Sequence, residues 1–240
     1  MKGKRLHGYY TLLLGIFFSP VALGMGLRSF VALPVEQGGT VWRATAGHNA
    51  DTDANHLVLS AAYGIDHRQT LLFGVPYRLS SGEGDRVGGV SVLYRHIVLQ
   101  SDQKDGTDRL GLLGGVIIPT DSNRDEALQI GAVFTRFRGK NEIDLDVLYQ
   151  QGLSNRDNTA RYDLSWQHRV SPSEYPEWGI PPEWYVVTEL GGRWSEAHST
   201  VHQFTLGLQR VTKRWVFEGG VIQDLNGPNH TRFLFSVRFH

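Results

Sequence analysis

The 240 residues include no cysteine, which excludes disulfides, thiolate metal sites and cysteine nucleophiles. They also show no excess of charge, with 24 Lys and Arg against 24 Asp and Glu. The three basic residues among the first 24 are Lys2, Lys4 and Arg5, and no acid accompanies them. The remainder therefore carries 21 basic and 24 acidic residues, a net of −3. A nucleic-acid binder would show a basic excess, so that partner is not expected. Beyond residue 24 no apolar run reaches the roughly 18 residues of a spanning helix. Zinc-protease spacing (HExxH) is missing from the ten scattered histidines, and the glycines of "SSGEGDR" have no phosphate-loop lysine. Neither a metal nor a cofactor is expected.

What is present begins with an export signal. "MKGKRLHGYY" is a basic n-region and "TLLLGIFFSPVALG" an apolar stretch of h-region length, with small Ala22 and Gly24 at −3 and −1 of a cleavage after Gly24. Residues 1–24 read as a signal peptide, 25–39 as an N-terminal lead-in and 40–240 as the folded domain. The chain reads as exported, and a Gram-negative-type cell is its natural setting.

From residue 40 on, apolar and polar residues alternate, the two-residue period of a strand with one apolar face. Twelve segments of about ten residues show it, near the length that crosses a bilayer when tilted. "EIDLDVLYQQ" sets Ile143, Leu145, Val147 and Tyr149 against Glu142, Asp144, Asp146 and Gln150. "TRFLFSVRFH" sets Phe233, Phe235, Val237 and Phe239 against Arg232, Leu234, Ser236 and Arg238. "TVWRATAGHN" (40–49) is the weakest of the twelve. Many alternate connections are short ("DHRQ", "RGKN", "TKR"), as on the periplasmic side of an up-and-down barrel. "QSDQKDGTD" and "SPSEYPEWGIPPE" are longer than that pattern allows, and the second is expected to fold over the periplasmic mouth.

A soluble sandwich would hide the apolar faces between sheets, whereas a membrane barrel turns them to lipid and encloses the polar ones. Acids and bases at strand centres favour the barrel, because opposite charges on neighbouring strands lie close together. The expected fold is an all-β, transmembrane, antiparallel up-and-down barrel of about 12 strands. Its expected lumen lining is Arg78, Arg95, Asp144, Asp146, Arg161, Asp163, Glu189, Arg193, Glu218 and Arg238. Its lipid-facing and girdle residues would be Tyr77, Tyr149, Trp166, Trp194, Trp215, Phe233, Phe235 and Phe239, aromatic rings favouring the headgroup level. The carboxylate row of Glu142, Asp144 and Asp146 could bind a cation or serve as acid and base. The simpler reading is pairing with Arg161 and Arg169 on the next strand. The acidic stretches "DTD" (51–53) and "TDSNRDE" (120–126) read as solvated loops. The aromatic last strand resembles the signal that the barrel-assembly machinery reads.

The phrasing of the chain resembles a known group. "LLFGVPYRLSSGEGDRVGGVSVLYRHIV", "LGLLGGVIIPTD", "WYVVTELGG" and "FTLGLQRVTKRWVFEGGVIQDLNGP" are similar to segments of the outer-membrane transporter family named for the meta-pathway of phenol degradation. The resemblance spans roughly residues 55 to 240 and implies a barrel with a transport role. The expectation is an outer-membrane channel for small solutes, aromatic or hydrophobic ones included, in contact with lipid and lipopolysaccharide. Two alternatives stand beside it. One is a plugged structural or adhesive barrel, closed by salt bridges and the 171–183 segment. The other is a lipid-modifying enzyme, although the His-x-Ser pair of outer-membrane phospholipases is missing. His198 and Ser199 are read as part of a loop. No catalytic residue is assigned and the protein is not expected to be an enzyme.

Overall fold

A computed structural model describes residues 26–80, 86–120, 125–172, 182–227 and 229–240. Every strand or helix among these is a β-strand: β1 (Thr40–Asn49), β2 (Ala54–Gly64), β3 (Gln69–Arg78), β4 (Val90–Gln103), β5 (Gly106–Ile118), β6 (Ala127–Arg138), β7 (Asn141–Gly152), β8 (Thr159–Arg169), β9 (Glu183–Ser195), β10 (His198–Val211), β11 (Trp215–Asp224) and β12 (Thr231–Phe239). Each pairs antiparallel with its neighbours in sequence, and β1 pairs with β12 to close the ring. Thr45 lies opposite Ser236 and Ala46 opposite Phe235 at that seam. Closure leaves no unpaired sheet edge, the condition for irregularity-free strands in lipid.

Side-chain period fixes which face is which. Outward-pointing Leu59, Leu112, Ile130, Leu145, Leu206, Leu208 and Phe235 are exposed, while Asp144, Asp146, Asp163, Thr205, Gln209 and Ser236 are fully buried. In water this would be inside out; in a bilayer it is the low-energy arrangement. Both chain ends of the barrel lie at one rim, which we call the lower rim. Near it Trp42, Tyr63, Tyr94, Trp166, Trp184 and Trp215 are exposed aromatics, and Tyr149, Trp194 and Phe233 are exposed toward the upper rim. Trp42 on β1 is absent from the girdle read from sequence, yet its side chain is 58% exposed.

Lower connections are tight. Asp66 caps the β2–β3 turn, accepting from the N–H groups of Arg68 (2.7 Å) and Gln69 (2.8 Å). Those bonds hold its carboxyl below the usual carboxylate range, the Arg68 N–H contributing most. Gly139 takes φ 58° in the two-residue β6–β7 turn, a conformation open to glycine at little cost.

Two expected connections are corrected. "QSDQKDGTD" is not a long loop: β4 and β5 run through it and leave only residues 104–105 between them. Asp102 accepts from the Thr107 hydroxyl at 2.5 Å, and Asp108 pairs with Arg136 at 2.9 Å and Arg138 at 2.8 Å. The ladder continues past the oily band, and beyond that band the outward residues are polar, so the period disappears. Likewise β10 begins at His198, so His198 and Ser199 lie in a strand, with the register shifting between His198 and Val201. Most of the proline-rich 171–183 segment falls outside the described residues, as do residues 1–25 and 121–124.

Candidate functional site

The interior intersperses apolar clusters with ionic groups. Leu93, Ile97, Leu113, Val133 and Leu148, from β4 to β7, form an apolar cluster, with Leu72 of β3 packed against it. β7, β8, β9, β11 and β12 present Asp144, Asp146, Asp163, Glu189, Glu218 and Arg238, each no more than 2% exposed. β9 to β12 also carry a second apolar cluster of Tyr185, Val187, Val211, Val216, Ile222 and Leu234. The lead-in joins both clusters: Leu27 belongs to the second, while Ala32 belongs to the first and Phe30 packs against it.

Residues 26–33 belong to no β ladder, so their backbone groups need partners elsewhere. The wall side chains supply them. Glu189 Oε1 accepts from the N–H of Arg28 at 3.0 Å and of Ser29 at 3.4 Å. Asp146 Oδ2 accepts from Phe30 N–H and the Thr135 hydroxyl oxygen from Ala32 N–H, both at 2.8 Å. On the carbonyl side, Arg43 donates to Leu27 O, and Arg95 donates to Val31 O and, at 2.6 Å, to Leu33 O. Acids thus hold N–H groups and arginines hold carbonyls, with charge-assisted bonds on both sides.

The apolar side chains of the segment also have prepared sites. Leu27 meets the inward faces of Gly207 on β10 and Gly220 on β11; a Cβ on Gly220 would fall 3.0 Å from Leu27 Cδ1. Glycine at these two positions leaves the hollow in the wall that the side chain enters. The Phe30 ring lies under the Arg161 guanidinium at 4.5 Å, within cation–π range.

Asp146 and Asp163 stand directly opposite one another on β7 and β8, both fully buried. Like charges in that position repel. Arg161 offsets the repulsion, reaching Asp163 at 2.8 Å and Asp146 at 3.4 Å. Arg193 donates to both Asp163 oxygens at 2.7 and 2.8 Å, and Arg28 of the lead-in lies 3.6 Å from the same carboxylate. A second ionic group lies at the seam. Glu218 accepts from Arg43 at 2.6 Å, from Gln209 at 2.8 Å and from Arg238.

All ten residues assigned to the lumen from sequence lie on the inward face, but they do not form one site. Asp146, Arg161, Asp163, Glu189 and Arg193 surround the lead-in, Glu218 and Arg238 close the seam, and Arg95 reaches the lead-in from β4. Arg78 stands at the upper end of β3 away from these groups. Asp144 accepts from Thr135 (2.5 Å) and Gln167 (3.1 Å), so it holds the lead-in one residue removed. Arg169 pairs with Glu183 of β9 at 2.8 Å. Arg28 and Arg43 were not singled out from sequence. The sequence signal for Arg28 is "LRSFVALP", which is too apolar for a solvated tail; Arg43 has only its place in the alternation of β1.

No cluster of metal-ligating side chains occurs among the described residues. A serine–histidine contact does occur, Ser195 Oγ to His198 Nδ1 at 3.2 Å, on the exposed β9–β10 hairpin. No carboxylate bonded to that histidine is found among the described residues, so the third group of a triad is missing.

A closed twelve-stranded barrel with an oily outer band, aromatic rims and an ionic interior defines a transmembrane β-barrel of the bacterial outer membrane. The sequence matches no protein-family model and no curated protein. Solved structures of the same architecture do match. An outer-membrane channel from Pseudomonas putida F1 is similar at TM-score 0.58 and 16% identity, over 88% of this chain and 98% of that one. The NanC porin is similar at TM-score 0.56 and 13% identity, over 83% and 99%. The KdgM porin is similar at TM-score 0.53 and 10% identity, over 83% and 98%. At these identities the shared property is the fold.

Proposed function

We propose that the protein is a passive channel for small solutes, with preference for aromatic or otherwise amphipathic ones. In this reading residues 1–24 direct export, and the barrel-assembly machinery inserts the folded domain. The observation that carries it is an interior in which apolar and ionic groups adjoin. Arg95 stands between Leu93 and Ile97 on β4, and Glu189 two residues from Val187 on β9, so a solute with a ring and a polar group would meet both. The interior also holds residues 26–33, bound by side chains and not by a ladder, and in this reading that segment shifts to let solute pass. Membership in the meta-pathway transporter family is the finer form of the same reading, supported by the phrase resemblance. No enzymatic step, cofactor or metal enters it.

Planar-bilayer recording tests the reading. The full chain should conduct, and neutralising Asp144 and Asp146 to Asn should change conductance or ion selectivity while heat-modifiable gel migration stays intact. Unchanged currents would remove the assignment of this row to the permeation path. The lead-in inside the barrel favours one second reading, a closed structural barrel. That reading requires no current from the full chain and none from Phe30→Ala.

A further inference from the structure

The outer surface has one feature that an ordinary lipid-facing wall does not require. Between β6 and β10, toward the upper rim, lies a cavity of about 490 Å³. That volume falls within the usual small-ligand range of about 300–1,000 Å³. Its walls are Ile130, Val147, Tyr149 and Trp194, and its floor includes Ala160 and Gly192. Tyr149 and Trp194 flank Ala160 on the neighbouring strands, so two large rings stand on either side of a single methyl group.

The hollow is kept open by a specific arrangement. A Cβ on Gly192 would collide with the ring of Tyr162, so that ring lies flat over the glycine. Its hydroxyl is then 2.9 Å from His202 Nδ1. The two rings, tilted at 50° with centroids 6.1 Å apart, form a fixed border. Arg161 also touches the hollow, but its guanidinium is engaged inside the barrel by Asp163 at 2.8 Å. The lining is therefore hydrocarbon and aromatic, with a hydroxyl–imidazole pair and Thr200 at its edge.

We propose that this hollow binds one acyl chain of a lipopolysaccharide molecule. The hollow opens on the surface already in contact with lipid, so its occupant arrives from the membrane. It lies toward the rim opposite the chain ends, which is the outward-facing leaflet in a barrel with short periplasmic turns. Lipopolysaccharide forms that leaflet. The inference rests on the barrel's membrane orientation and is independent of whether the lumen conducts.

The full chain, purified from outer membranes in mild detergent, is examined by native mass spectrometry with identification of retained lipid. The wild type should retain lipopolysaccharide. Ala160→Phe, which fills the floor, should lower retention about tenfold or more. Ala61→Phe, on the outer face of β2 away from the hollow, should leave it unchanged. Heat-modifiable migration checks that each barrel is folded. If Ala160→Phe does not fold, Gly192→Ala pushes the Tyr162 ring into the same space and should give the same loss. Retention equal in all folded variants, a phospholipid in place of lipopolysaccharide, or no retained lipid in the wild type would each overturn the proposal.

Discussion

At the scale of single residues, charge inside this barrel has a structural task in addition to any role in permeation. Arg43 shows it well. Its guanidinium meets Glu218 at 2.6 Å, donates to Ser236 at 2.8 Å and reaches Leu27 O. One side chain therefore joins the β1–β12 seam to β11 and to the lead-in. Removing one partner of a buried pair leaves the other without compensation, at a cost of about 3–5 kcal/mol. Glu218 retains Arg238 and Gln209, so Arg43→Met should fall at the lower end, about 3 kcal/mol, in urea unfolding from lipid vesicles. A loss below about 1 kcal/mol, the level of an exposed pair, would mean that the seam does not depend on this residue.

At the scale of elements, the lead-in behaves as a thirteenth segment without a ladder. Its docking depends on the space that Gly207 and Gly220 leave for Leu27. Gly220→Val should expel that leucine and loosen the segment, with the strands still paired. The measurement is limited trypsin digestion: the bond after Arg28 should be protected in the wild type and cut in the variant, as read by the mass of the new N-terminus. Equal protection would show that the hydrogen bonds to Asp146, Glu189 and Thr135 and from Arg43 and Arg95 suffice alone. This segment's place could not be read from the sequence. Its partners lie 103 residues away at Thr135, 116 at Asp146 and 177 at Thr205, and nothing local announces them. The twelve strands were legible for the opposite reason. Most carry their own two-residue period, because lipid lies on one side and polar partners on the other, as along β7 and β8; β4 and β5 turn Leu93, Ile97 and Leu113 inward as well and show it less cleanly. Where β4 and β5 leave the bilayer that pressure ends, and "QSDQKDGTD" reads as a loop while it is in fact paired strand.

At the scale of the whole molecule, stability rests on a closed ladder with a continuous oily exterior, and the last strand contributes to both. β12 bonds to β11 on one side and β1 on the other, and Phe235, near its middle, is 56% exposed toward lipid. An arginine at bilayer mid-depth costs about 2–4 kcal/mol, falling to about 0–1 near the interfaces. Phe235→Arg should therefore destabilise the barrel by about 2–4 kcal/mol on refolding into vesicles. The same change at Phe239, at the lower rim beside Trp215, should cost about 1 kcal/mol or less from the charge itself. The depth dependence is the informative part, because a soluble barrel would show the opposite order: an exposed arginine in water costs little at either position, and only the ring packing of Phe239 on Trp215 would be lost. Equal small effects at both sites in lipid would contradict a membrane-spanning arrangement, whereas a large loss confined to Phe235 ties the alternation along this strand to the bilayer that selects it.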